Sequence, residues 1–424
     1  MIAEKTNTAQ LIIDKISASA GKVNFIDNTK LSKALLFLEN NGIPTNKHED
    51  YKYCNIDGIF KKEFKNIQQH LIEINDVSDY KLNDALNIVI VNGNYSEILS
   101  DKLILKGLHL NTFSNLNTEG KNLISSIADV ESDAFIALNT AFCGEGFHLK
   151  INDNEQLQIP IHLLYVSCAS SQSLVNPRNI IELGVNAEAI IIEQQLILGS
   201  EKIFTNFLSE KFINENAKLT SYTIQNEGEN GFSVNTNQVQ ISSNGKYENT
   251  TLTLSGALVR NNHNVALAGQ NCEANLNGLF STKSNQLVDN HTLMDHQKPH
   301  CQSSELYKGI INDKSTGVFN GKIFVKEHAQ KTNAYQSSKN ILLSDDASIN
   351  TKPQLEIYAD DVKCSHGTST GKIDETAIFY LNARGIGRES AKKLLLNAFA
   401  QEIINKVEID ELREKILNLF EHNL

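Results

Sequence analysis

KPQLEIYADDVKCSHGTSTGKID, from Lys352 to Asp374, is the most informative stretch of the chain. Leu355, Ile357 and Ala359 alternate with Glu356, Tyr358 and Asp360, the two-residue period of a half-buried strand. Asp360 and Asp361 interrupt this pattern as a corner does, and Val362, Cys364 and His366 take up a second alternation. On an extended backbone residues i and i+2 point to one face, so Cys364 and His366 set a thiol beside an imidazole. Both groups bind transition metals. Two neighbouring donors do not close a site, because a tetrahedral metal takes about four. The others must come from elsewhere in the fold or from another chain. The plainer reading of the same pair is a buried cysteine next to a hydrogen-bonded histidine.

At 424 residues the chain is too long for one ordinary core, which predicts two or three domains or one elongated repeat fold. An apolar content of 40% suits a globular protein, and no run of about 18 apolar residues suggests a membrane span. The opening MIAEKTNTAQLIIDK has no apolar run before a small-residue cleavage site and does not read as a signal peptide. A net charge of −11 argues against a general nucleic-acid or anionic-membrane surface. Six scattered cysteines, the closest pair (Cys143 and Cys168) 25 residues apart, make no disulfide framework. The absence of any C-x-x-C excludes the local spacings of ferredoxin sites and zinc ribbons. A reducing, cytoplasmic compartment is expected.

Residues 1–85 read as mostly helical. Leu31, Ala34, Leu35 and Leu38 form an apolar stripe, and Asn40-Asn41-Gly42 before Pro44 is a stop signal. PTNKHEDYKYCNI (Pro44 to Ile56) reads as an exposed connector with Cys54 a semi-buried structural thiol. Ile88–Val91 reads as a strand, 133–143 as a helix, and His148 as a strand-edge histidine. Between about 155 and 375 short β-type runs recur, separated by Asn, Ser, Gly and Asp, with no strong amphipathic helix; this implies an all-β architecture. Asn-Gly pairs at Asn230, Asn244, Asn277 and Asn320 allow some tight hairpins, too few to join every strand. An irregular stack of short strands fits a β-helix better than a sandwich, though pattern alone leaves both open, and no fixed-length repeat is evident. From about Glu375 helical spacing returns. Ala391, Leu394, Leu395, Ala398 and Phe399 predict one apolar face, and Leu412, Ile416, Leu419 and Phe420 a last helix with Asp410 as N-cap. A three-helix cap is expected. The division is 1–130 helical, 131–374 β core, 375–424 helical.

Four motifs invite other functions. Gly367-Thr368-Ser369-Thr370-Gly371-Lys372 has three residues between its glycines and Ile373 after its lysine, so it misses the phosphate-loop spacing. ARGIGRESAKKLL (Ala383 to Leu395) resembles a helix-hairpin-helix that grips DNA, with Arg384 and Arg388 as the contacts; the acidic chain and the single copy oppose it. His291, His296, His300 and Cys301 imitate a zinc site, but Pro299 interrupts and no helix sets their spacing. Asp345-Asp346 and Asp360-Asp361 imitate the carboxylate pairs of a β-helical polysaccharide-active enzyme. Adjacent strand residues point to opposite faces, so solvated turn acids account for them better.

The opening stretch, with its unbroken KPQLEIYADDVKCSHG and no further cysteines, closely resembles the SufB/SufD family of iron–sulfur cluster assembly scaffolds, on its SufD-like side. AQKTNAYQSSKNILLS (Ala329 to Ser344) fits the same family, as does the P-T-x-x-x-E-D-x-K-Y pattern after Pro44. So does CQSSELYKGIINDKSTGVFNGKIFV, where His296 just upstream, Cys301, Ser303, Tyr307, Lys308, Gly309, Gly317 and Phe319 fall on the family pattern. The match is densest from about Leu252 to Ile404. It implies a right-handed parallel β-helix core between N- and C-terminal helical domains. It also implies a heterodimer with SufB through the β-helix, and docking of the SufC ATPase on the C-terminal helices. A transient iron–sulfur cluster would then form at a subunit interface. His366 is the expected iron or cluster ligand facing SufB, with Cys364 supporting it. Phe379, Tyr380, Leu381, Arg384, Gly385, Ile386, Leu395 and Phe399 are the expected SufC surface. No nucleotide, nucleic acid or membrane is expected on this chain, no catalysis of its own, and exposed end coils allow a homodimer in isolation.

Overall fold

The structure, a computed structural model, describes residues 25–56, 59, 65–66 and 72–423. The helical expectation for 1–24 and for the gaps between 57 and 71 lies outside these residues. The chain is mainly β, 44% strand and 21% helix, wound as a β-solenoid of about eight turns. In chain order its longer parallel strands are Leu86–Val91 (β1), Phe147–Ile151 (β2), Ile161–Cys168 (β3), Arg178–Leu183 (β4), Glu188–Leu198 (β5), Ile203–Ile213 (β6), Lys218–Asn226 (β7) and Gly231–Ile241 (β8). They continue with Lys246–Ser255 (β9), Leu258–Leu267 (β10), Glu273–Thr282 (β11), Leu287–His296 (β12), Gln302–Ile311 (β13), Thr316–Val325 (β14), Asn333–Leu342 (β15), Ser348–Ile357 (β16) and Lys363–Lys372 (β17). Odd strands pair in parallel in one sheet and even strands in the other, so the chain crosses between sheets at every corner.

Period-two alternation sorts each strand into an inward and an outward set. Inward side chains such as Ile191, Leu219, Tyr247, Leu276, Tyr307 and Phe319 stack into one core along the axis. The outward face of the even sheet (Phe204, Val234, Leu258) is covered by α1 (Asn28–Asn41) and α2 (Ala134–Phe142). The outward face of the odd sheet (Ile192, Tyr222, Leu252, Leu279, Ile310) is covered from the C-terminal side. There α3 (Glu375–Asn382) leads into α4 (Arg388–Ile404) and α5 (Asp410–Asn423). The expected stop after α1 is present: Asn41 is its last residue and Gly42 has φ +67°. Ala134–Phe142 is the helix predicted over 133–143.

Several local expectations are corrected. None of the four Asn-Gly pairs makes a hairpin. Asn230 and Asn244 sit at corners, while Asn277 and Asn320 lie inside β11 and β14. The glycines there make room for neighbouring coils: a Cβ on Gly278 would lie 2.2 Å from the ring of Tyr307, and one on Gly321 2.0 Å from the amide of Gln336. The buried face of α4 is Ala391, Leu396, Ala400, Ile403 and Ile404; Leu394 is exposed and Leu395 half-buried. Asp410 is the first residue of α5 rather than its cap. Cys54 is fully buried, and burial pushes its thiol far up.

The two ends of the solenoid differ. At the first coil β1 and β2 are each covered by an antiparallel strand, Asn94–Ser96 and Leu108–Thr112. Among the described residues, β16 and β17 of the last coil have strand neighbours on one side only.

Candidate functional site

The open end carries the two sequence-predicted ligands. In β17 Cys364 lies opposite Ala334 and His366 opposite Gln336. Ala334 belongs to the axial core, and Cys364 with Val362 packs against the same cluster. Both ligands therefore occupy inward positions of the terminal coil. Earlier coils roof their inward residues with another coil. Here none follows, so His366 is exposed and Cys364 half-buried. Burial raises the Cys364 thiol above its ordinary value. Among the described residues no group of three or more His, Cys, Asp or Glu could hold a metal ion. The donor set fits a soft-metal or iron–sulfur cargo, but supplies only part of the coordination.

The other metal-like cluster disperses. His291 faces outward beside Asp289 (2.9 Å) and Arg260 (3.1 Å), where the Arg260 guanidinium lies 3.9 Å from the ring centroid of Tyr51. His296 faces inward and shares a hydrogen bond with Ser303 at 2.9 Å; His300 holds a corner at φ +63°. Cys301 is buried in a corner against Gly269 O, which the thiol of Cys272 also reaches. The phosphate-loop decoy is extended, forming the second half of β17.

At the other predicted surface, Phe379 (74% exposed) and Tyr380 (55%) stand out from α3, with Leu394 (50%) on α4. Arg384 caps the Tyr380 ring at 4.4 Å, Gly385 turns the chain at φ +85°, and Leu381 and Ile386 are half-buried. Arg388 forks onto Glu375 at 2.8 and 3.0 Å, which neutralises the charge a DNA-gripping hairpin would need. Leu395 is half-buried. Phe399 packs toward the β-helix, with the Lys308 ammonium 4.4 Å from its ring centroid and bonded to its carbonyl at 2.7 Å. Leu394, which helical spacing places on the buried face, is exposed instead.

Sequence reasoning also missed the polar interior. Inward positions hold the buried pair Lys211–Glu193, a bond between Tyr247 and His263 at 3.0 Å, and Glu305 between Thr292 and Gln336. The available signal was polar residues on the inward alternation of otherwise apolar strands.

Two family models match: the SufBD core domain of the SUF iron–sulfur cluster assembly system over residues 165–399, and the SufBD N-terminal region over 15–163. The chain is 30% identical to the iron–sulfur cluster assembly protein SufD of Escherichia coli, over 89% of this chain and 88% of that one. It is 26% identical to a SufBD family assembly protein of Synechocystis, over 88% and 86% of the two chains. With the chloroplastic protein ABCI7 of Arabidopsis thaliana it shares 28% identity over 97% and 88%.

Proposed function

The chain belongs to the SufBD family of the SUF iron–sulfur cluster assembly system, and we propose that within it the chain is a non-catalytic, SufD-type scaffold. It pairs with a SufB chain through its open terminal coil and docks the SufC ATPase on α3 and α4. A nascent cluster is held transiently at the SufB interface, with His366 as ligand and Cys364 in support. The observation that carries this reading is the uncovered last coil with both donors on its inward face. A partner coil stacked there would complete the coordination that this chain begins. The exposed Phe379, Tyr380 and Leu394 support an apolar docking surface for SufC. Among the described residues no helix is long and apolar enough to cross a membrane.

The test is co-purification with native partners, followed by anaerobic iron and sulfide analysis. Wild type is expected to bring down SufB and SufC with iron, and His366→Ala to keep both partners and lose most of the iron. Iron retained in that variant would remove His366 from the site. Phe379→Ser is expected to weaken SufC capture at unchanged folding. It is a cleaner probe than Phe399, whose loss would also loosen α4 from the β-helix.

A further inference from the structure

Beneath His366 the interior is not apolar. β13, β15 and β17 run in register, with Glu305 opposite Gln336 and Gln336 opposite His366. Parallel neighbours lie about 4.8 Å apart, and paired residues point the same way. These three side chains thus occupy one inward column, with His366 at its open end. Glu305 and Gln336 are 2% and 3% exposed.

The Gln336 carboxamide reaches across the interior to Gly321 of the even sheet, whose missing Cβ makes space for it. Its Nε2 donates to Glu305 Oε1 at 3.4 Å, one coil further in. The other Glu305 oxygen accepts from the Thr292 hydroxyl. In a carboxamide the oxygen and nitrogen diverge from Cδ. With the nitrogen committed to Glu305, the oxygen is left for a different donor. That oxygen is buried and has no hydrogen-bond partner among the described residues. Leaving such an acceptor unmade costs roughly 1–3 kcal/mol. An imidazole N–H is the donor that the in-register residue above it can supply.

We propose that Gln336 is a positioning residue for His366: its Oε1 accepts one imidazole N–H, fixes the tautomer, and leaves the other ring nitrogen facing the open end. Histidines that bind metal commonly give their second nitrogen to such an acceptor. The use made of the free nitrogen rests on the reading of His366 as a cluster ligand; the hydrogen bond does not.

Full-length protein with ring-15N-labelled histidine separates the two claims. The His366 signals are assigned by their loss in His366→Ala. Wild type is expected to show a single His366 tautomer, and Gln336→Met a mixture, with the other histidine signals unmoved. Iron loading in the SufB complex should fall about tenfold in Gln336→Met. Freely exchanging tautomers in wild type would overturn the proposal whether or not the variant folds. So would His366 shifts unchanged in Gln336→Met. A tautomer that depends on Gln336, combined with normal iron loading in His366→Ala, would uphold the hydrogen bond and remove the ligand role.

Discussion

Glu227 and Glu305 are carboxyls enclosed by the β-helix, and burial raises each to about 7 from an ordinary value near 4.5. A raised acid holds a proton in the folded chain that the unfolded chain releases. Its contribution to stability is complete below about pH 4.5 and is lost as pH rises through about 7. Stability is therefore expected to fall between pH 5 and 8, and Glu305→Gln to flatten part of that slope. At about 1.4 kcal/mol per pH unit, its gain at pH 8 is at most about 3.5 kcal/mol. Urea titrations across that range measure it, and an unaltered slope would refute the assignment. The buried pair Arg178–Glu210 behaves differently. The carboxylate takes the guanidinium at 2.7 Å and the backbone N–H groups of Ser125, Ile127 and Ala128, tying that segment to β6. Glu210→Ala strands a buried cation and should cost about 3–5 kcal/mol, seen as an earlier unfolding midpoint. At this scale the shared inward face of Cys364 and His366 was legible because a two-residue period needs no knowledge of the fold. Gln336 was not legible, since its importance comes from standing one coil below His366.

Among the elements, the corner stack explains why the repeat escaped the sequence. Asn154, Asn186, Asn216, Asn244 and Asn271 form a ladder, each amide donating to the side-chain oxygen of the one before at 2.8–3.1 Å. The spacings are 32, 30, 28 and 27 residues. Coils of unequal length stack in register because the differences fall in the corners, so a fixed period does not exist to be found. Each ladder asparagine has a positive φ, a conformation that asparagine and glycine adopt more readily than other residues. Asn216→Ala removes two ladder bonds and keeps the strained backbone, whereas Asn216→Gly removes the bonds alone. Alanine should therefore cost about 1 kcal/mol more than glycine in equilibrium unfolding; equal losses would mean that the backbone conformation carries no weight there. The α4 face was misread for a related reason. Helical spacing allows several adjacent stripes, and only the position of the β-helix selects Leu396 and Ala400 over Leu394 and Ala398.

The whole molecule is a stack finished at one end and unfinished at the other, and its last two strands are unequal as edges. In β16 the N–H of Ser348 goes back to Ser315 and that of Tyr358 to Val325, so even-numbered residues face the stack. Odd-numbered Pro353 therefore has its missing donor on the free side, which blunts that edge. In β17 the N–H of Lys363 goes back to Thr332, so Cys364, His366, Thr368, Thr370 and Lys372 turn their backbone donors outward. This strand contains no proline and presents an unbroken row of donors beside the side chains of Cys364 and His366. If the partner chain extends the solenoid, it does so through β17 more than through β16. Thr370→Pro tests this, because it deletes one outward donor while sparing every bond to β15. The variant should fold with an unchanged melting midpoint, yet its SufB complex, or its self-association when alone, should dissociate at lower dilution in sedimentation velocity. Undiminished association would move the interface to β16 or to the outer helices.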